Sequence, residues 1–485
     1  MTQKNQCGII GAIAKFQLSG AYPVIFALLC VISGLCDKRV YIPILVLLGI
    51  SVLFSAAFVK DGRALLVPMF MMYYALGTDN TETYEATRGD VFASIDQGSW
   101  NFIVVLAITL VVALTVRFSL DGTFKNALRS RGPAFLGIIV LDLAFLSNGL
   151  FFEGWTYANL LLGLLLSFFI TAFYLIFCSI FNSSEGIITY VCKIMLLTAY
   201  IAVLQILPKV IHACAAGEFI YYHEESARWI FDRSSLYMSW GIVTIIGGML
   251  ILGIPCALYL AKNERFPILY SSAAVILAIM PIILNTRASM LGGALLLLIG
   301  AVSVSVSGKN KRLNRIFFLS VLAAAILGAV ALFIYLQGTG KLSHYLEELM
   351  LLARFDMLED RLALWGIGER HFLENPAFGI GMLEGASVEG LPLNNFFANM
   401  YHNILVQFVA SMGIVGIAAF LFHVKDLFLI GSRKGGAERI PLLLIPAAII
   451  ILSLADNFFF YPNFQIFYAA FLALAEKNIK KNGLA

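Results

Sequence analysis

The chain has 485 residues, 60% of them hydrophobic and only 13% charged, with a formal charge of +4 and a mean hydropathy of +0.88. Soluble domains carry about a quarter charged residues, so this composition excludes a soluble enzyme and a nucleic-acid-binding module. Apolar runs near 20 residues, each able to cross roughly 30 Å of hydrocarbon, predict an all-α polytopic membrane protein.

In chain order the runs fall at about 18–36, 40–59, 64–77, 100–117, 133–151, 157–181, 186–208, 236–261, 267–285, 288–307, 316–336, 402–422, 440–455 and 464–475. That is fourteen segments, or twelve if the short runs 64–77 and 464–475 are set aside. The N-terminus lacks a signal-peptide cleavage site, so the first apolar helix is expected to stay as an anchor. With the N-terminus placed in the cytoplasm, 22 of the 33 basic residues fall on the cytoplasmic side and 21 of the 29 acidic residues outside it. "GKNKRLNR" at 308–315 is the strongest anchor of this positive-inside pattern. Both termini are then cytoplasmic, and the polar segments 78–99, 209–235, the turn near 285–288 and the loop 337–401 face outward. Neither an internal repeat nor a low-complexity linker divides the chain. We therefore expect one integral membrane domain, 1–485, with 337–401 as a large extracytoplasmic loop inside it. The seven cysteines lie mostly in or beside apolar runs without metal-ligand spacing and read as inert buried thiols.

The polar loop 337–401 and the helix after it hold most of the candidate chemistry. "HYLEELMLLARFDMLEDRLALWGIGERHFLEN" has apolar residues at helical spacing, which predicts helices along the outer interface, ended by Pro376 and the Gly-Ile-Gly at 379–381. Arg361 and Trp365, four apart, share one helix face. The competing role for Arg361 is an ion pair with Asp356, Glu359 or Asp360, and Arg354 is a weaker candidate of the same kind. His402 precedes Asn403 where the loop re-enters the membrane at a helix N-terminus. That position disfavours the imidazolium and leaves a neutral ring able to take a proton, as a general base for a sugar hydroxyl must.

Arg287, in "LNTRASMLGG", sits at the outer membrane edge, where a snorkelling anchor competes with bidentate diphosphate binding. The residues Ala288, Ser289, Gly292, Gly293 and Ala294 that follow would let neighbouring helices approach closely. Asp142 is an intramembrane carboxylate with no visible partner. Asp456, in "LADNFFFYPNF", returns to the outer face, where it could hydrogen-bond His402 or orient an acceptor. Arg228 and Arg233 are further phosphate contacts to consider. Tyr401 and the aromatics of both loops fit an interfacial belt first and sugar stacking second.

Taken in order, these motifs are a Thr-Arg-Ala-Ser turn entering a small-residue helix and then a large loop with Arg-x-x-x-Trp and Asn-Pro-x-x-Gly-x-Gly. His-Asn and a helix ending Gly-x-x-Gly follow. Over about 280–420 the chain resembles the O-antigen ligase and polymerase superfamily (the Wzy/WaaL type). The resemblance implies a GT-C-type membrane glycosyltransferase of the bacterial cytoplasmic (inner) membrane, metal-independent, cofactor-free and inverting. Such an enzyme takes glycan from undecaprenyl diphosphate at the periplasmic or external face. Arg287 and Arg361 would then bind the donor diphosphate and stabilise it as leaving group, and His402 would activate the acceptor hydroxyl. Asn403 and Trp365 would shape the site, with Tyr401, Arg354, Arg228, Arg233 and Asp456 as further substrate contacts. The implied partners are the lipid-linked oligosaccharide donor, a glycan or lipid acceptor, membrane lipids, a chain-length regulator and a flippase.

Ligases that load lipid A-core often carry a second His before His-Asn, whereas this chain reads Ala398-Asn399-Met400-Tyr401. That difference favours a repeat-unit polymerase over a ligase or a protein O-oligosaccharyltransferase. A transporter or flippase is the non-enzyme alternative; it predicts internal repeats or several ionisable groups at mid-membrane.

Overall fold

The computed structural model describes residues 8–36, 38–59, 61–76, 97–120, 132–182, 186–216, 220–223, 228–231, 240–339, 356–383, 400–432 and 440–481, and a few isolated positions between them. The helices are α1 (Ile9–Gln17), α2 (Ala21–Leu35), α3 (Lys38–Phe58), α4 (Arg63–Met71, continued by a 3₁₀ turn), α5 (Gln97–Leu120), α6 (Ala134–Leu146), α7 (Tyr157–Ser167), α8 (Phe173–Asn182) and α9 (Ile187–Ala216). After a short hairpin, β1 (Ile220–His223) and β2 (Arg228–Phe231), come α10 (Val243–Asn263), α11 (Pro267–Ile283), α12 (Arg287–Val306) and α13 (Lys311–Gly338). They are followed by α14 (Asp356–Glu374), α15 (Ile404–Ser432), α16 (Ile440–Leu452) and α17 (Pro462–Lys481). Each expected apolar run coincides with a helical element, and the protein is an all-α polytopic membrane protein.

Among the described residues, seven helices are long and apolar enough to cross a membrane, or up to eight if the bent pair α1–α2, with an 80° break, is one span. Four shorter apolar helices add to these. The two runs that separate a count of twelve from fourteen, α4 and α17, are lined with buried residues, among them Leu65, Leu66, Val67, Phe70 and Phe467 to Ala475. Helices buried on all sides belong in the interior of a bundle, and protein rather than lipid surrounds the described parts of these two.

Three irregularities shape the interior. Between α7 and α8 a π-helical turn, Phe168–Ala172, brings the Thr171 hydroxyl to the Asp142 carboxylate on α6. Asp142 therefore has a partner, and π-turns of this kind recur where a helix must re-aim one side chain. The helix expected over about 402–422 runs on to Ser432 and is broken at Gly413, the first glycine of its Gly-x-x-Gly, by non-helical backbone (φ 60°, ψ −151°). Past that break, His423 donates or accepts at the Tyr468 hydroxyl (2.6 Å) with Asp426 buried beside it, so Asp142 is not the lone ionisable group inside the bundle.

The third irregularity is the Asn-Pro-x-x-Gly-x-Gly segment. Sequence reading makes it a wet turn; the structure buries Gly379, Ile380, Gly381 and Met382. α14 ends before Pro376, and the chain enters the gap that the break in α15 opens. Ile380 N–H donates to the Ala410 carbonyl (3.0 Å) and Gly381 N–H to that of Ser411 (3.1 Å). In return Ile414 N–H donates to the Pro376 carbonyl (2.8 Å) and Val415 N–H to Ala377 (3.2 Å). A helix break orphans donors and acceptors on both sides, and this strand of loop satisfies them. Its far side is held by the α6–α7 connection. Gly149 N–H donates to Phe378 O (2.9 Å), while the Asn148 and Asn159 side-chain oxygens accept from Met382 and Leu383 N–H, both at 3.0 Å.

Candidate active site

The small residues after Arg287 act as expected. A Cβ on Gly292 would lie 3.1 Å from both Ile251 and Leu452, and one on Gly293 3.1 Å from Ile251, so α12 packs closely on α10 and α16. A Cβ on Gly247 of α10 would lie 2.5 Å from the Thr286 hydroxyl, and one on Gly248 would run into the Phe458 ring. Thr286 precedes Arg287, and Phe458 follows Asp456 by two residues. The exposed Arg287 and the turn bearing Asp456 therefore sit at one level of the bundle, on adjacent positions of α10.

At that end His402 and Asp456 meet, Nδ1 to Oδ1 at 3.0 Å, with the imidazole 40% and the carboxylate 10% exposed. Burial by itself would raise the Asp456 pKa. The His402 hydrogen bond and charge, the Asn457 N–H at 2.8 Å and the Arg361 charge outweigh it and hold the carboxyl below its ordinary value. An ionised carboxylate can only accept, so Nδ1 of His402 carries the hydrogen it donates to Asp456, and in the neutral form of the ring it is Nε2 that has the lone pair. Arg361 reaches the same turn from α14, donating from Nη1 to the carbonyl of Ala455.

Main-chain contacts brace both halves of this pair. Ile404 N–H donates to Ser453 O (2.7 Å), and the Ser453 hydroxyl accepts from Phe459 N–H (2.8 Å). The Gln407 side-chain oxygen accepts from Tyr401 N–H and from the Asn457 amide, both at 3.2 Å. His402 itself has φ 51°, a left-handed conformation uncommon outside glycine that persists where surroundings impose it. Gln407 and Ser453 are not among the residues picked out from the sequence. The signal available for Gln407 is a buried amide on an apolar helix one turn past His402-Asn403.

The remaining expected residues divide. The Trp365 indole N–H donates to the Tyr401 carbonyl (3.2 Å). Tyr401, expected among the substrate contacts, is wholly buried with its hydroxyl 2.5 Å from Nδ1 of His371, so its ring faces inward and does not offer a stacking surface. Asn403 caps α15: its Oδ1 accepts from the N–H groups of Leu405 (2.9 Å) and Val406 (3.3 Å), and its Nδ2 donates to Leu454 O (3.1 Å). Its side chain is thereby engaged by the protein. Asn403→Asp, which keeps the cap oxygen, should stay closer to wild type in thermal denaturation than Asn403→Leu, which loses about 1 to 2 kcal/mol of capping. Equal melting of the two would contradict the capping role. Arg228 lies on β2 opposite His223, with backbone alone described; Arg233, Arg354 and the side chains of Asp356, Glu359 and Asp360 lie outside the described residues.

No curated protein matches the chain. Residues 272–421, which run from α11 through the first part of α15 and carry Arg287, Arg361, Trp365, His402 and Asn403, match the family model described as O-Antigen ligase. It is this match that supports placing the chain in the O-antigen ligase/polymerase superfamily.

Proposed function

We propose that the protein is a membrane glycosyltransferase that moves a glycan from undecaprenyl diphosphate to an acceptor sugar hydroxyl at the outer face of the cytoplasmic membrane. The preferred form is a polysaccharide repeat-unit polymerase. The observation that carries this reading is the His402–Asp456 pair at 3.0 Å, with Arg361 on the adjacent carbonyl.

With Nδ1–H held by Asp456, Nε2 of His402 takes the proton of the acceptor hydroxyl as its oxygen attacks the anomeric carbon. The bond from that carbon to the diphosphate oxygen breaks, and the electron pair leaves with undecaprenyl diphosphate. Attack from the face opposite the leaving group inverts the anomeric centre. Arg361 and Arg287 supply positive charge where the diphosphate's negative charge grows, in a setting of lower dielectric than water. Residues that brace the turn hold these groups in place without reorganising during the reaction.

The test lies in the shape of the cation. Arg287→Lys keeps the charge but removes the fork that grips two phosphate oxygens. It should lower transfer nearly as far as Arg287→Ala, by about 100-fold, in an assay with purified protein and lipid-linked donor. Full activity in the lysine variant would return Arg287 to a membrane anchor. The transporter reading draws support from the buried His423, Asp426 and Asp142. It predicts the opposite pattern, with those residues essential to flux and His402 dispensable.

A further inference from the structure

His371 lies on α14 outside the residues considered for chemistry above, and its ring meets the hydroxyl of Tyr401, 2.5 Å from Nδ1. Tyr401 precedes His402 in the chain and is held at every polar atom. Its N–H meets Gln407 Oε1 at 3.2 Å, its carbonyl the Trp365 indole at 3.2 Å, and its hydroxyl His371. Its ring lies against α14 at Gly368, where a Cβ would come 3.3 Å from Cδ1 of Tyr401 and 2.5 Å from Val406. Arg361, Trp365 and Gly368, at spacings of four and three, form one stripe of α14, and the helix lies with that stripe across the 401–406 segment and the Ala455 turn. The next residue after Tyr401 has the left-handed backbone that only its neighbours can enforce.

We propose that His371 is a positioning residue for transfer, which acts on His402 through Tyr401 by fixing the Tyr401 hydroxyl and so the backbone that aims the His402 ring. This rests on the reading of His402 as the base. The buried phenol stays protonated, because burial pushes its pKa up, and with the His371 hydrogen on Nε2 its O–H donates to Nδ1. Burial, with Arg370 adding to it against Glu374, lowers the His371 pKa and so favours the neutral ring, in which one nitrogen is an acceptor. A misplacement of about 1 Å in a reacting group lowers rates by about 100-fold, which is the scale of effect to look for.

The experiment measures turnover and donor KM for purified full-length protein. His371→Ala and Tyr401→Phe each remove the same bond. Each should lower kcat by about 10- to 100-fold with KM for the donor within about twofold. The double variant should be no worse than either single one, since they share one interaction. His371→Asn sets an oxygen where Nδ1 stood and cannot titrate near neutral pH; it should recover kcat to within about threefold of wild type. Wild-type turnover in both single variants overturns the proposal. So does a His371→Asn variant as slow as His371→Ala, which would put chemistry on His371 itself. Loss of folded protein in all three would overturn it as well, by making the bond a matter of folding. Failure of the underlying reading shows elsewhere, as transfer retained by His402→Ala with wild-type His371.

Discussion

Replacing His402 by alanine should lower glycan transfer by about a thousandfold or more while leaving the amount of protein in the membrane unchanged. The size follows from what is removed: a positioned base contributes on the order of 100- to 10,000-fold. The expected normal level follows from where the residue sits. Its ring is 40% exposed and, among the described residues, makes its one side-chain bond to Asp456, so the core described does not depend on it. Asp456 keeps its Asn457 N–H bond in the variant, and the α15–α16 junction keeps its Ile404–Ser453 and Phe459–Ser453 bonds. A His402→Ala protein that transfers glycan at the wild-type rate would remove His402 as the base. One that fails to accumulate would make it a structural residue.

Gly379→Ala should act in the opposite way, on the fold before the chemistry. Gly379 has φ +69°, a region that strains any side chain, and a Cβ there would lie 2.5 Å from the Ala410 carbonyl oxygen among further backbone atoms of α15. That carbonyl also receives Ile380 N–H at 3.0 Å, so the wedge cannot shift outward without losing the bonds that satisfy the broken helix. Strain of this kind, together with buried hydrogen bonds lost, costs about 3 to 5 kcal/mol. The measurement is folded, monodisperse yield after detergent extraction, with Gly366→Ala as reference. A Cβ on Gly366 meets nothing within 4 Å inside α14, so that variant should be neutral or slightly stabilised. Equal yields from the two would show that the segment is not wedged as described.

Why some of this was legible in the sequence and some was not follows from range. The bilayer sets the length of an apolar run whatever it packs against, so each run coincides with a helix. Close helix approach at Gly292 and Gly293 was likewise readable, because small residues have few other uses in an apolar helix. The break at Gly413 was not, since an apolar stretch with a few glycines has the same periodicity whether straight or broken. Nor was the buried course of 379–382, because a Pro and two glycines mark a turn without saying what fills the space around it. His402, Arg361 and Asp456 stood out one at a time as polar groups at the ends of apolar runs. Their convergence depends on contacts between residues 54 and 94 apart in the chain. Tyr401 and Asn403 show the limit from the other side. Each lies beside His402 in sequence, yet their polar atoms turn toward His371, Leu405 and Leu454.

The most direct test of the whole account is to incubate purified protein with undecaprenyl-diphosphate oligosaccharide as both donor and acceptor, and to resolve the lipid-linked products by length. The account predicts a ladder of lengthened products from the wild type and none from His402→Ala. Product that forms only when lipid A-core or a protein is added would make the enzyme a ligase. The account is contradicted if wild type and His402→Ala give the same products, or if the wild type gives none with any of these acceptors.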